Sequence, residues 1–202
     1  MDASAWDERY AATALVWSSG PNQFVEEALA DLTPGRAVDL AAGEGRNAIW
    51  LARRGWQVTA VDFSRVGLDK GRRLAGDTDV EWVCADATRW APGRPVDLVV
   101  LAYLQLPAEQ RAMAVRHGFD ALAPGGTFFL VGHDSSNLTE GTGGPQDPGV
   151  LYTAEDVLGD LSGREFEVVR AERVARAVTA DDGHGGEERR TAYDALVVLR
   201  RR

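Results

Sequence analysis

Three aspartates in the first half of the chain have the type and spacing to bind a nucleoside. Asp39 lies inside a short apolar run, Asp62 ends the next such run, and Asp86 follows a third. The turn at 41–45, Ala-Ala-Gly-Glu-Gly, comes directly after the first run and lets a ligand approach the backbone closely. Carboxylates at strand ends accept hydrogen bonds from ribose hydroxyls. These residues therefore predict a site for a nucleoside-containing cofactor.

The glycine turn alone leaves two kinds of cofactor open. The segment 43–48, Gly-Glu-Gly-Arg-Asn-Ala, fits the Gly-x-Gly-x-x-Gly/Ala fingerprint of dinucleotide sites. S-adenosylmethionine is favoured because Asp39 would put negative charge where a pyrophosphate must rest, and because Asp86 can accept from an adenine amino group. An NAD(P)-dependent oxidoreductase is the alternative. Its short-chain form needs a Tyr-x-x-x-Lys pair, but Val66 stands four residues before Lys70, the only lysine.

His133 is the best candidate for a catalytic base. It follows the fifth predicted strand, at the sheet edge where ligands bind in open α/β folds. The alternative is a hydrogen-bonded structural histidine. Asp134 beside it is expected to cap the loop, and His117 and His184 are expected to be solvated. Cys84 is expected to be a buried apolar residue in a strand.

The first 21 residues are expected to form a lid segment. They carry three aromatic residues, Trp6, Tyr10 and Trp17, in a stretch that is otherwise small and polar. These rings either pack the segment onto the core or give a sulfonium or an aromatic acceptor a π face. A second loop, 133–152, is rich in glycine and proline and is either another lid or disordered.

The elements that must position these residues alternate between strand and helix. The pattern predicts an α/β fold, with a Rossmann-like, seven-stranded, mostly parallel sheet, helices on both faces and a C-terminal antiparallel hairpin. No linker or repeat is visible, so residues 1–202 are expected to form one domain. The predicted strands are 37–40, 57–61, 80–84, 96–101, 127–131, 166–178 and 191–199.

Composition excludes several other classes of protein. The net charge of −9 argues against binding to a nucleic-acid backbone. With a single cysteine, the chain can form no internal disulfide and no cysteine-based metal site, and no metal is expected. Neither a signal peptide nor a membrane-spanning apolar run is present, so a cytoplasmic location with no membrane partner is expected.

Four segments resemble the class I S-adenosylmethionine-dependent methyltransferases. They are VDLAAGEGRNAIWLA, VTAVDFS, CADA and VDLVVLAYLQL, and they are most similar to the small bacterial tellurite-resistance and thiopurine-type branch. In that family the first motif is usually Asp-Leu-Gly-Cys-Gly-x-Gly. Here Ala41 and Ala42 replace the Gly-Cys pair, so Ala41 must adopt a backbone angle that is more costly for alanine than for glycine.

The resemblance also implies a set of contacts to S-adenosylmethionine. The turn from Ala41 through Gly43 to Gly45 would contact its methionine part, with Leu101 and Ala102 beneath. Asp62 would accept from the ribose hydroxyls. The residues implied for the adenine are Phe63, Asp86 and Ala87, and those near the carboxylate or the lid are Arg46 and Asn47. Tyr103 would face the methyl acceptor.

The expected function is transfer of a methyl group from S-adenosylmethionine to a small-molecule acceptor through an oxygen, sulfur or nitrogen nucleophile. Trp6, Tyr10 and Tyr103 are the expected acceptor-binding residues, Asp39 and Trp17 are expected beside the cofactor, and His133 is the expected base. A non-catalytic module that binds S-adenosylmethionine and regulates a partner is the further alternative.

Overall fold

A computed structural model describes residues 3–16, 20–181 and 187–202. Trp17 and His184, which were discussed above, lie outside the described residues. The elements in chain order are α1 (Ala3–Ala12), α2 (Gln23–Leu29), β1 (Arg36–Leu40), α3 (Arg46–Arg53), β2 (Gln57–Asp62), α4 (Arg65–Ala75), β3 (Glu81–Cys84), β4 (Val96–Ala102), α5 (Ala108–Asp120), β5 (Leu122–His133), α6 (Asn137–Glu140), a 3-10 turn (Pro148–Val150), α7 (Ala154–Asp160), β6 (Phe166–Asp181) and β7 (Glu187–Arg201).

The strands form one seven-stranded sheet in the order β3-β2-β1-β4-β5-β7-β6. The first five are parallel to one another, whereas β7 runs antiparallel to both β5 and β6. The prediction of a mostly parallel sheet closed by an antiparallel hairpin is confirmed. Because Leu40 pairs with both Val61 and Leu101, the carboxyl ends of β1, β2 and β4 lie side by side. The single-domain organisation stays a prediction.

The core lies on both faces of the central strand β4. Leu98, Val99 and Val100 are fully buried, and successive residues face opposite sides of the sheet. Val99 packs with Phe119 and Phe128 on one face, while its neighbours pack against the cluster on the other. The near-continuous apolar run of β4 is thus explained by burial on both faces, as expected for a central parallel strand.

Side-chain caps fix where several helices begin. The Asn22 carboxamide oxygen accepts from the backbone N–H groups of Phe24 and Val25 at the start of α2. Ser64 caps α4, and Thr153 forms a reciprocal capping box with Asp156 at the start of α7. These caps satisfy N–H groups that have no partner inside the helix. Asparagine, serine and threonine are residue types that favour this position.

Two expectations about individual residues were wrong. Cys84 is exposed rather than buried, because β3 is the edge strand of the sheet. His117 is half-buried rather than solvated, and its Nδ1 donates to the backbone oxygen of Thr88. None of the helices in the described ranges combines the length and apolar character needed to span a lipid bilayer.

Candidate active site

The turn between β1 and α3 is built from left-handed backbone. Ala41 has φ 57°, Gly43 φ 57° and Gly45 φ 72°. Such angles suit glycine but cost an alanine on the order of 1–2 kcal/mol, so the strain expected at Ala41 is present. Hydrogen bonds hold the turn: Ala42 N–H donates to the Val61 oxygen at 3.0 Å, and Gly45 N–H donates to the Ala42 oxygen at 2.8 Å.

Asp62 ties this turn to the end of β2. Its Oδ2 accepts from Gly43 N–H and its Oδ1 from Ser64 N–H, each at 2.8 Å. The side chain is buried, and burial raises the pKa of this carboxyl above its ordinary value while the two backbone donors act against the rise. The carboxylate is therefore held rigidly between the two loops.

Asp39 is a second buried carboxyl one residue before the end of β1. Its Oδ2 accepts from Ala48 N–H in the first turn of α3 at 3.1 Å. Burial raises the pKa of Asp39 to about 7, although the Ala48 hydrogen bond and the positive charge of Arg46 act in the opposite direction. Near neutral pH this group changes its charge in response to a small change in its surroundings.

The residues expected to bind adenine follow β2 and β3. Phe63 is 37% exposed, and Asp86 is also exposed. The Asp86 Oδ1 accepts from both the backbone N–H and the hydroxyl of Thr88, at 2.8 and 2.7 Å, which fixes the turn there. Ala87 is buried behind it. Leu101 and Ala102 end β4 beside β1, so all of these residues lie at the carboxyl edge of the sheet.

The N-terminal helix α1 packs onto α4. Asp7 on α1 accepts from the Ser64 hydroxyl at 2.5 Å and from Val66 N–H at 3.3 Å. Tyr10 is buried in the interface, where a Cβ on Gly67 would lie 3.1 Å from its ring. Trp6 stacks on Tyr10 with ring centroids 5.4 Å apart. Tyr10 therefore packs the segment onto the core, beside the cofactor turn, and its role in acceptor binding stays a prediction.

A buried ion pair fastens this N-terminal segment to the cofactor turn. Lys70 Nζ lies 2.6 Å from Glu44 Oε1, and both side chains are almost fully buried. Lys70 also donates to the backbone oxygens of Tyr10 at 2.8 Å and Thr13 at 2.9 Å. Glu44 in turn accepts from Val16 N–H at 3.0 Å. Sequence reasoning had not assigned Glu44 a role, and its only signal was a charged residue between two glycines.

His133 lies in a polar cluster at the other side of the sheet edge. Its Nδ1 is 3.3 Å from Asp194 Oδ1, and its ring lies against Tyr103 with centroids 4.8 Å apart. The other oxygen of Asp194 accepts from the Tyr103 hydroxyl and from Arg176 Nε, both at 2.8 Å. Tyr103 has φ 59°, a strained angle for a tyrosine. The structure thus brings two predicted residues, His133 and Tyr103, together.

Asp194 and Arg176 were missed from the sequence. The signal for Asp194 was a carboxyl beside the apolar run Ala-Leu-Val-Val-Leu at 195–199, in a strand that lies inside the sheet. Arg176 sits on β6 among alternating residues and carried no such signal. Only the pairing of β5 with β7, which places Asp194 opposite His133, reveals the cluster.

Polar contacts link this cluster to the cofactor turn. Asn47 at the start of α3 accepts from Asn22 N–H at 2.9 Å, and the Asn22 amide lies 3.5 Å from the Tyr103 hydroxyl. Burial lowers the pKa of Arg46 from its ordinary value, while Tyr103 and Asp39 act to raise it. Arg46 therefore lies between the cofactor turn and the cluster. Asp134 caps its loop as expected, accepting from Ser136 N–H.

Comparison with known proteins agrees with this geometry. Residues 37–126 match the family model described as a methyltransferase domain. That segment contains the turn, Asp62, Asp86 and Tyr103. Residues 37–126 therefore form a methyltransferase domain.

Three curated relatives match parts of this chain. A demethylmenaquinone methyltransferase of Clavibacter sepedonicus is 44% identical over 39% of this chain and 34% of its own length. A trans-aconitate 2-methyltransferase of Streptomyces coelicolor is 35% identical over 48% of this chain and 34% of its own. A tRNA 5-carboxymethoxyuridine methyltransferase of Escherichia coli is 30% identical over 62% and 49%. The matched part thus spans a third to a half of each relative.

Solved structures share the fold of the methyltransferase domain over nearly the whole chain. TehB from Haemophilus influenzae matches 99% of this chain and 67% of its own, with TM-score 0.74 and 16% identity. The N-methyltransferase NodS from Bradyrhizobium japonicum, solved with S-adenosyl-L-homocysteine, matches 98% and 97%, with TM-score 0.71 and 18% identity.

Proposed function

We propose that the protein transfers a methyl group from S-adenosylmethionine to a small-molecule acceptor. One observation carries the proposal: the buried carboxylate of Asp62 is fixed by Gly43 where the loops after β1 and β2 meet, inside the segment that matches a methyltransferase domain. A rigid, buried acceptor of hydrogen bonds at this point suits a pair of ribose hydroxyls.

The residues present fit S-adenosylmethionine by the chemistry of their atoms. Each Asp62 oxygen accepts one backbone N–H and keeps a lone pair for a hydroxyl donor. Gly43 adds no side chain that would hinder a ligand. Asp39, with its pKa of about 7, is able to become anionic when a positively charged group comes near it. These carboxyls offer no favourable contact to a pyrophosphate, so the side chains present favour a cationic cofactor.

The chain has two tasks, which are to orient the acceptor and to exclude water. When bound, S-adenosylmethionine supplies a methyl carbon on a positively charged sulfur, and the acceptor's lone pair forms the new bond while the electrons of the S–C bond stay on sulfur. Orientation and exclusion of water dominate such a displacement. The α1 segment closes the cofactor side, and Tyr103 and His133 form the acceptor side. His133 is the base in this proposal.

Charge supports a small acceptor over an RNA. Nucleic-acid partners need clustered lysine and arginine, whereas this chain has net charge −9 and one lysine. The relatives act on different classes of acceptor, among them trans-aconitate and tRNA. The His133 side chain is 15% exposed and lies against the Tyr103 ring, so an acceptor at this position would be partly shielded from water. The cytoplasmic location stays a prediction.

A panel of acceptors with methyl-labelled S-adenosylmethionine tests the proposal. The panel contains phenols, thiols, amines, carboxylic acids, quinone-type rings and bulk tRNA, and the readout is label on the acceptor. Label on a small molecule supports the proposal, and label on tRNA alone would overturn the acceptor class. Tight cofactor binding without transfer to any member would favour the regulatory module. The Asp62→Ala variant serves as the control for label that arises without the cofactor site.

A further inference from the structure

The fully buried carboxylate of Asp194 divides its two oxygens between different partners. Oδ2 accepts from Arg176 Nε and from the Tyr103 hydroxyl, each at 2.8 Å. Oδ1 faces His133 Nδ1 at 3.3 Å, outside hydrogen-bond geometry, and neither atom has a hydrogen-bond partner among the described residues. Asp194 stands opposite His133 in the β5–β7 ladder, so two rigid strands set this distance. The arrangement leaves one oxygen free to receive a proton donor from the imidazole.

The charge of Asp194 is maintained by the groups that surround it. Burial acts to raise its pKa, but the nearby His133 imidazole, the hydrogen bonds from Arg176 and Tyr103 and the positive charge of Arg176 outweigh burial, so the pKa lies below its ordinary value. Burial and the nearby Asp194 charge raise the pKa of the Tyr103 phenol, which keeps it a donor. A buried carboxylate that accepts from a neutral imidazole holds the ring proton on Nδ1 and leaves the lone pair on Nε2.

A glycine loop fixes the other face of the imidazole. A Cβ on Gly144 would lie 2.9 Å from His133 Cγ and Nδ1, and Gly144 has φ 75°, so a larger residue would displace the ring. Asn137 holds the loop by donating to the Gly143 oxygen at 2.7 Å and accepting from Tyr193 N–H at 2.9 Å. The ring is therefore confined between this loop and Tyr103. A histidine held in this way has one orientation, which a base requires.

We propose that Asp194 is the positioning residue of the His133 base, and that the acceptor is a protic hydroxyl or amine group. The inference rests on the proposed function and names its acceptor class. The proton leaves the acceptor's O–H or N–H bond and attaches to Nε2, while the electron pair of that bond stays on the acceptor atom. The imidazolium that results is balanced by Asp194, and it returns the proton to water. An acceptor that is already anionic would need none of these groups.

Charged and titratable groups face the pair from each neighbouring element. They are Arg176 on β6, Tyr103 after β4, Arg46 at the start of α3 and Tyr152 before α7. Both tyrosines stay neutral, because burial raises the pKa of each. The two arginines keep their charge at all ordinary pH values.

The substitution Asp194→Asn gives a sharp test. Arg176 and Tyr103 both donate to the Oδ2 position, so the amide oxygen of the variant takes that position and its NH2 faces His133 Nδ1. An N–H donor there forces the imidazole into the opposite tautomer, with the proton on Nε2. The readout is the pair of ring 15N chemical shifts of His133, measured with 15N-histidine labelling and assigned by loss of the signal in His133→Gln.

The tautomer readout needs neither cofactor nor acceptor. We expect the Nδ1–H form in the unmodified protein and the Nε2–H form in Asp194→Asn, with Asp134→Asn unchanged as the matched control. An Nε2–H form in the unmodified protein would overturn the positioning role even if the variant fails to fold. With an acceptor in hand, Asp194→Asn should slow single-turnover transfer about 100-fold.

The tautomer measurement and the methyl-transfer measurement test different parts of the proposal. If the tautomer changes as expected but Asp194→Asn transfers the methyl group to an O–H or N–H acceptor as fast as the unmodified protein, His133 is not the base. Transfer only to anionic acceptors would overturn the acceptor class. If no methyl transfer occurs at all while the tautomers behave as expected, the proposed function has failed and the Asp194–His133 geometry has not.

Discussion

The carboxylate of Asp62 accepts a 2.8 Å hydrogen bond from the backbone N–H of Gly43, 19 residues earlier in the chain. One bond thus joins the loop after β1 to the loop after β2. The loops meet at the edge of the sheet where the cofactor is proposed to lie. Loss of this carboxylate would remove a ligand contact and also release the turn that carries Gly43.

Asp62→Ala should weaken binding of S-adenosylmethionine by at least about tenfold, because charge-assisted hydrogen bonds to the ribose hydroxyls are lost. Isothermal titration calorimetry measures the affinity directly. Asp69→Asn on the exposed side of α4 is the matched control, since Asp69 pairs only with Arg72 among the described residues. Equal affinity in Asp62→Ala and the unmodified protein would remove Asp62 from the site.

Lys70→Met should lower the free energy of unfolding by about 3 kcal/mol, because Glu44 is left as a buried charge without its cation. Arg72→Met on the same helix breaks an exposed ion pair with Asp69 and should cost less than about 1 kcal/mol. Urea unfolding of both variants makes the comparison. Similar losses in the two variants would mean that the Lys70–Glu44 pair contributes no more than a surface contact.

The same Lys70→Met variant should loosen the N-terminal segment. Lys70 holds the backbone oxygens of Tyr10 and Thr13, so these positions lose their anchor. Hydrogen exchange of residues 3–16 should become faster, while exchange in β4 and β5 at conditions below global unfolding should not change. Equal acceleration everywhere would show a global loss of stability instead of local opening.

Asp39 should make stability fall as pH rises towards neutrality. Its pKa in the folded protein is about 7, above the ordinary 3.8, so the folded state holds this proton more tightly than the unfolded state. The contribution is complete below pH 4 and is lost as pH rises through 7. Between pH 5 and pH 8 the unmodified protein should lose roughly 3 kcal/mol relative to Asp39→Asn.

Urea unfolding of both proteins at pH 5 and pH 8 checks the effect of Asp39. The quantity is the change in the free energy of unfolding between pH 5 and pH 8 in the unmodified protein minus the same change in Asp39→Asn. The contributions of all other titrating groups cancel in this subtraction. A value near zero would show that Asp39 titrates near its ordinary pKa in the fold.

Two helical glycines should respond to alanine with opposite signs. A Cβ on Gly71 in α4 would overlap the Trp82 ring and lie 2.9 Å from the Glu44 oxygen, so Gly71→Ala should destabilise by about 1–3 kcal/mol. Gly159 in α7 has nothing within 4 Å of that position, and Gly159→Ala should stabilise by about 0.5–1 kcal/mol. Thermal unfolding measures both. Stabilisation by Gly71→Ala would contradict the close packing of Trp82.

The layout of the fold followed from local patterns in the sequence. The apolar run of β4, the caps at Asn22 and Ser64 and the capping box at Thr153 are each encoded within a few residues. Burial of a particular strand is not local. Cys84 was misjudged because the position of β3 at the edge of the sheet depends on how all the strands are ordered.

For the same reason, only part of the candidate site could be predicted from the sequence. The turn at Gly43 and the acid at Asp62 lie in one βαβ unit, so their spacing along the chain reflects their distance in space. Asp194 reaches His133 only through the β5–β7 ladder, across 61 residues. Lys70 reaches Glu44 through the packing of α4 on the turn. Contacts of that kind leave no periodic trace in a single sequence.

Lys70 is the only lysine among the 202 residues, so it is the single side-chain amine that an acylating label can modify. Its Nζ is enclosed by Glu44 and by the carbonyl oxygens of Tyr10 and Thr13, so a label reaches it only after the N-terminal segment has lifted away. The rate at which this amine is acylated therefore measures how often the N-terminal segment opens. Opening of this segment is the motion that would admit and release a ligand.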